Sequence, residues 1–277
     1  MGMRITTNVA SLNAQKVLVG NSREMQKSMA QLSTGSRITK AGDDAAGLAI
    51  SENLKSQIRS YGQAMRNAND GISMIQTAEQ SMGEVSNVIT RLRELGVQAA
   101  SDTIGDQERG FINKEVEALK SEIQRVAESA SFGSRKLLNG TGGVYDIQIG
   151  TSNSDKTDWI SYDSATTDVT TATLGIEDLD FSSKESARSG LSSLDVAQSS
   201  VNGSRANLGA LQNRLSSSSD VINTMTENLS AANSRIRDTD VAASTSELAR
   251  NNVLLQGTTA TLAQANQLPQ MALKLIG

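Results

Sequence analysis

Apolar residues recur every seven positions through the last third of the chain. Leu194, Val201, Leu208, Leu215, Ile222, Leu229 and Ile236 form one row, with Leu211, Met225 and Ala232 at the intervening seam and Ser204 and Ser218 breaking it. A heptad row with no proline inside predicts one long helix over 186–236 that buries a narrow stripe. At ~1.5 Å per residue such a helix is about 75 Å long, more than an ordinary globular domain needs. Ser182 and Glu185 have capping-box spacing just ahead of it.

The first half carries matching stripes. Leu54, Ile58, Tyr61, Met65, Ala68, Ile72 and Ile75 alternate by four and three; after a one-residue phase slip come Ala78, Met82, Val85, Ile89 and Leu92. Ile112, Val116, Leu119, Ile123 and Val126 form a shorter row. Between the two, Ser101 to Asp106 reads as a loop ending in an N-cap. Three stripes of this kind bury best against each other.

The two ends are different. Ile5, Leu12 and Val19 are seven apart, as are Leu248, Leu255 and Leu262, but Asn252, Thr259 and Asn266 hold the positions between the latter. Helices this polar outside one narrow stripe are marginal alone and need a partner, either each other or neighbouring molecules. The six named residues are therefore candidate polymer contacts.

The middle switches period. Asn139 to Gly143 has turn chemistry. Tyr145, Ile147 and Ile149 then alternate with polar residues, and Trp159 to Tyr162 reads as a returning strand. Residues 141–185 hold nine acidic and two basic residues, which predicts a solvated, outward-facing cap. The fold class expected is mainly α, an elongated helical bundle or coiled coil from the N- and C-terminal halves with a small β-hairpin-like central element. Terminal coiled-coil segments are expected at 1–40 and 240–277, a bundle at 41–138 and 182–239, and the cap at 139–181.

Composition narrows the chemistry. Aromatics are only 3%, so the core has to come from Leu, Ile, Val, Met and Ala. There is no His, which excludes histidine bases, nucleophilic triads and imidazole metal sites, and no Cys, which excludes disulfides and thiol chemistry. The net charge of −4 disfavours nucleic acid, and no apolar run approaches the ~20 residues of a membrane span. Asp43-Asp44 is the most tempting acid pair, but its place before Ala45-Ala46-Gly47-Leu48 reads as a helix cap. The chain is expected to be no enzyme and to hold no metal or cofactor.

The chain resembles bacterial flagellin. The residues that carry the resemblance are Ile5 to Gln15, Leu32 to Ile38, Asp43 to Ile50, Arg66 to Ser73, Ala206 to Ala210, Glu227 to Ala232, Ser234 to Asp238 and Leu262 to Gln267, in that order. The resemblance covers roughly 3–138 and 186–276. It implies a secreted, extracellular structural subunit that self-assembles into the flagellar filament for motility. It further implies unfolded export through the flagellar type III apparatus, with a cytoplasmic export chaperone on the C-terminal segment and partners in the cap and hook-junction proteins. The paired termini would line the inner tube, and the variable outer domain is nearly absent here. The family surface read by a vertebrate Toll-like receptor maps onto Arg91, Leu95 and Glu115, with Thr90 where the family has Gln. The hook–filament junction protein, which shares the terminal pattern, is the alternative.

Overall fold

The computed structural model describes residues 7–154 and 157–276, with side chains up to Gln267. Among the described residues there are five α-helices: α1 (Val9–Thr34), α2 (Ala45–Ala99), α3 (Asp106–Ser129), α4 (Lys184–Arg237) and α5 (Val241–Ile276). Between α3 and α4 lie four short strands, β1 (Ser131–Phe132), β2 (Arg135–Lys136), β3 (Val144–Gln148) and β4 (Trp159–Asp163), and one 3-10 turn at Ser164–Thr167. The expected class, mainly α with a small β element, is the one found. The long helix expected over 186–236 is α4.

Two compact units are present, one made of the chain up to Ser56 and from Asn228 onward, the other of Gln57–Glu227. In the second unit the α4 heptad row is buried from Leu194 to Ile222. Met225, expected at the seam, is instead 47% exposed.

The α2 stripe corrects the expected phase slip. Ala64, Ala68, Gly71, Ile75, Ala78, Met82, Val85, Ile89, Leu92, Gly96 and Ala99 are all buried, an unbroken alternation of four and three, with Met74 and Leu95 buried beside it. The slip reflects Met65 and Ile72, both only half-buried, standing in for the buried Ala64 and Gly71. A glycine on the seam leaves room for a neighbour, and Ile147 of β3 fills it: a Cβ built on Gly71 would lie 2.7 Å from Ile147 Cδ1.

The central segment is not the solvated cap that its charge suggests. β3 and β4 form the expected antiparallel hairpin, with Tyr145 opposite Tyr162 and Ile147 opposite Ile160. All four side chains are buried, as are Val169, Leu174, Ile176, Leu179 and Phe181, and they join the core supplied by α2, α3 and α4. The few aromatics concentrate here. The Tyr145 and Tyr162 rings stack 6.0 Å apart, and the Tyr162 hydroxyl donates to the Leu137 carbonyl at 2.6 Å. Phe181 is fully buried between two glycines: a Cβ would lie 3.0 Å from its ring at Gly96 of α2 and 2.7 Å at Gly190 of α4. Among the described acidic residues of this segment Asp146, Glu177 and Asp178 are exposed, whereas Asp158 is buried and accepts the Ser154 amide at 2.8 Å.

Helix ends also differ in detail from the sequence reading. α3 starts after Gly105, so Asp106 is its first residue rather than its N-cap. Asp106 instead binds Arg109, whose buried guanidinium also donates to the Ala99 and Ser101 carbonyls at 2.9 and 2.8 Å and so closes the end of α2. Ser183, not Ser182, caps α4, accepting the Ser186 amide at 3.1 Å. Helix was expected up to about 138 but ends at Ser129, where the β1–β2 turn, with Gly133 at φ 60, takes over.

Candidate functional site

The first unit is built on α1 and α5. Asn8 starts α1 by accepting the Ser11 amide at 3.1 Å, and Gly35, at φ 68, ends it in the left-handed conformation that a side chain resists. The chain then makes an antiparallel bridge, Ser36 to Asp238, with Arg37 N donating to the Arg237 carbonyl at 2.6 Å and Thr239 N to the Gly35 carbonyl at 3.0 Å. Asp240 starts α5 by accepting the Ala242 and Ala243 amides. The bridge and the two caps fix where both helices begin, and α1 packs antiparallel along α5.

Small and polar residues close this pair. Ser11, Ser28, Ser244 and Ala265 are buried. Near the far end, Asn8 Nδ2 donates to the Ala265 carbonyl at 2.8 Å and Ser11 Oγ to Asn266 Oδ1 at 2.8 Å. The larger apolar side chains are only partly used. Leu248, Leu255 and Leu262 are half-buried, and Leu255 shares a groove of about 480 Å³ with Leu18, Val19, Ser22, Arg23, Gln26 and Thr259. Leu12 and Val19 remain 56% and 57% exposed, alongside exposed Val17 and Met29 on α1 and Val253 and Leu254 on α5. Ile5 lies outside the described residues. Exposed apolar side chains thus remain on both helices.

The second group of candidate residues lies on the α2–α3 face. Arg91 Nη2 meets Glu115 Oε1 at 2.8 Å, and its Nη1 meets Glu94 Oε2 at 3.0 Å. Hydrogen bonds donated to Glu115 and then to Glu94 hold the guanidinium protonated even more firmly than usual. All three side chains are exposed. Leu95 is not: at 2% exposure it belongs to the bundle core, so it does not share a surface with Arg91. Helical spacing placed the two on one side of α2, but Leu95 falls at the inner edge of that side.

The acid pair at the start of α2 is structural. Asp44 caps the helix through the Gly47 amide at 2.8 Å. Asp43 accepts the Thr39 amide and hydroxyl and the Lys40 amide, and its carboxyl is held below the ordinary 3.8 first by the Lys40 amide and then by the Thr39 hydroxyl. Among the described residues no group of three His, Cys, Asp or Glu could hold a metal ion, and no helix is long and apolar enough to cross a membrane.

Comparison with known proteins decides the family. The bacterial flagellin N-terminal helical region matches residues 5–142, and the bacterial flagellin C-terminal helical region matches 191–276. The chain belongs to the bacterial flagellin family. Flagellin from Halalkalibacterium halodurans is 40% identical over 274 residues, covering 99% of this chain and 100% of that one. The flagellar filament 33 kDa core protein of Treponema phagedenis is 40% identical over 288 residues with the same coverage. The crystal structure of Bacillus cereus flagellin is similar at TM-score 0.51 and 28% identity over 61% of this chain and 94% of that one. A flagellar hook-associated protein structure from Vibrio parahaemolyticus, at TM-score 0.58 and 13% identity, shares the fold. As a flagellin, the chain is a structural filament subunit of the extracellular flagellum and not an enzyme.

Sequence reasoning missed the Asn8–Ser11 contacts to α5 and the Arg109 closure of α2. The signal for Asn8 was available, since Asn three residues before Ser11 at a helix start is a capping pattern. Nothing in the spacing of Arg109 pointed to two main-chain carbonyls.

Proposed function

We propose that the α1–α5 pair is the polymer contact of this flagellin and lines the inner tube of its filament. The supporting observation is the division of labour in the pair: small residues close it, while Leu12, Val17, Val19, Met29, Val253 and Leu254 stay exposed. Rows of apolar side chains on two adjacent helices are a self-association surface when identical rows on neighbouring subunits meet them. The chain carries no cysteine, so no disulfide has to open for it to pass unfolded through an export apparatus. The C-terminal segment, whose Leu248, Leu255 and Leu262 row is only half-buried, suits a chaperone that covers that row before assembly. Cap and hook-junction proteins meet the same two helices at the ends of the filament. Arg91 and Glu115, exposed and joined, are the elements of the receptor-facing surface that a vertebrate Toll-like receptor reads.

Two aspartate substitutions test the polymer contact. Leu12→Asp places a charge on the exposed row and is expected to abolish seeded polymerisation while α1 and α5 stay paired. Leu255→Asp places it in the α1–α5 groove and is expected to unpair the helices as well, because a charge buried without a partner costs several kcal/mol. Filaments of normal length from Leu12→Asp would overturn the assignment.

A further inference from the structure

Asn-Gly occurs twice in the chain, at Asn139-Gly140 and Asn202-Gly203. The two copies sit in opposite environments. Asn202-Gly203 lies in the middle of α4, where the main chain is held helical on both sides and the glycine amide belongs to the helix ladder. Asn139-Gly140 lies in the turn between β2 and β3, with Gly140 at φ 69. Sterics do not separate them in the way expected, since Gly203 has open space around it and Gly140 has Asp168 beside it. The backbone does.

We propose that Asn139 is a self-modifying site of this protein, converting to aspartate and isoaspartate through a cyclic imide with Gly140. Hydroxide removes the Gly140 amide proton, and the nitrogen attacks Asn139 Cγ. The C–N bond to the side-chain nitrogen breaks, and that nitrogen leaves as ammonia after taking a proton from water. Water then adds to either carbonyl of the five-membered ring and opens it to aspartate or to isoaspartate. The balance is one water consumed and one ammonia released, and no oxidant or reductant is needed.

Local geometry favours the first step. Asn139 Oδ1, the oxygen on which negative charge develops, accepts the Thr141 amide at 3.1 Å and the Thr141 hydroxyl at 2.8 Å. Two donors aimed at that oxygen act as an oxyanion hole does. Gly140 carries no side chain to obstruct its nitrogen, and a turn opens at far lower free energy than the middle of a long helix. The product alters the hairpin. A new negative charge enters a turn that Asp168 borders, since a Cβ on Gly140 would lie 2.8 Å from Asp168 Oδ2. Isoaspartate also lengthens the main chain next to Leu138, whose carbonyl accepts the Val169 amide at 3.0 Å.

The test is peptide mass mapping of the full-length protein aged at mildly alkaline pH, with isoaspartyl methyltransferase labelling to count the isoaspartate. Cleavage after Lys136, Lys156, Arg188 and Arg205 puts the two sites on separate peptides, and fragment ions separate Asn139 from Asn153. Conversion at Asn139 is expected to run at least about tenfold faster than at Asn202 in the folded chain. In denaturant, where α4 no longer protects Asn202, the two rates are expected to converge. Thr141→Val, which removes the hydroxyl donor, is expected to slow Asn139 several-fold in the folded chain. Equal rates at the two sites in the folded protein would overturn the site, and an unchanged rate in Thr141→Val would overturn the role given to its hydroxyl.

Discussion

The Ile147 side chain rests directly over Gly71, and with the hydrogen bond from Asn67 Nδ2 to the Gln148 carbonyl this contact ties the central hairpin to α2. It also makes opposite predictions for two glycines of one helix. Gly71→Ala would place a methyl group 2.7 Å from Ile147 Cδ1 in a buried seam and is expected to destabilise the Gln57–Glu227 unit by about 1–3 kcal/mol. Gly62→Ala meets nothing within 4 Å and is expected to stabilise by about 0.5–1 kcal/mol, because alanine is the better helix former. Denaturant unfolding of both variants checks the pair of signs. A stabilised Gly71→Ala would show that β3 does not press on α2.

Arg91 and Leu95 are expected to fail differently in a Toll-like receptor assay. Arg91→Ala removes an exposed guanidinium and its two exposed ion pairs, so the monomer keeps its melting temperature and loses signalling. Leu95→Ala empties part of the core and is expected to cost about 2–5 kcal/mol of stability. Soluble Arg91→Ala monomer that signals like the parent would remove Arg91 from the receptor surface.

Asn8 does two jobs at once, capping α1 and binding the Ala265 carbonyl. Asn8→Ala is expected to lose about 1 kcal/mol of capping and to loosen the register of α1 against α5. Because the native chain has no cysteine, a Leu18→Cys, Leu255→Cys pair gives a clean report on that register. Its disulfide yield should fall when Asn8→Ala is added. An undiminished yield would mean that the apolar groove alone sets the pairing.

Tyr162 sets the alkaline limit of the hairpin layer. Burial raises its phenol to about 12 from the ordinary 10.0, against the opposing hydrogen bond to Thr167. A neutral acid whose folded pKa is raised contributes stability in full below pH 10 and loses it as pH climbs through 12. The loss amounts to on the order of 2 kcal/mol. Phenolate absorbance should contain a late component near pH 12 that Tyr162→Phe abolishes. A component already complete at pH 10 would show that Tyr162 is reached by water. With no histidine in the chain, no comparable transition is expected between pH 5 and 8.

The helices were legible because their signal is periodic and long. Leu194 to Ile222 and Ala78 to Leu92 declare their buried face through large side chains repeated many times. Gly71, Gly96 and Gly190 were illegible for the converse reason, since a seam position filled from a neighbouring element by Ile147 or Phe181 carries no apolar side chain of its own. Acidic residues such as Glu177 and Asp180 masked a central segment whose Tyr145, Tyr162 and Phe181 are buried. The candidate surfaces divided the same way. Exposure of Leu12 and Val19 and burial of Leu95 depend on which neighbour covers a face, and a one-dimensional spacing does not contain the neighbour.

The central claim is that this one chain builds a filament through its terminal helices. Seeded polymerisation of purified protein, viewed by electron microscopy beside a variant lacking residues 240–277, tests it most directly. Long filaments with a central channel from the full chain, and none from the truncated one, are the expected result. Filaments from the truncated chain, or full-length protein that stays soluble on intact seeds, would contradict it.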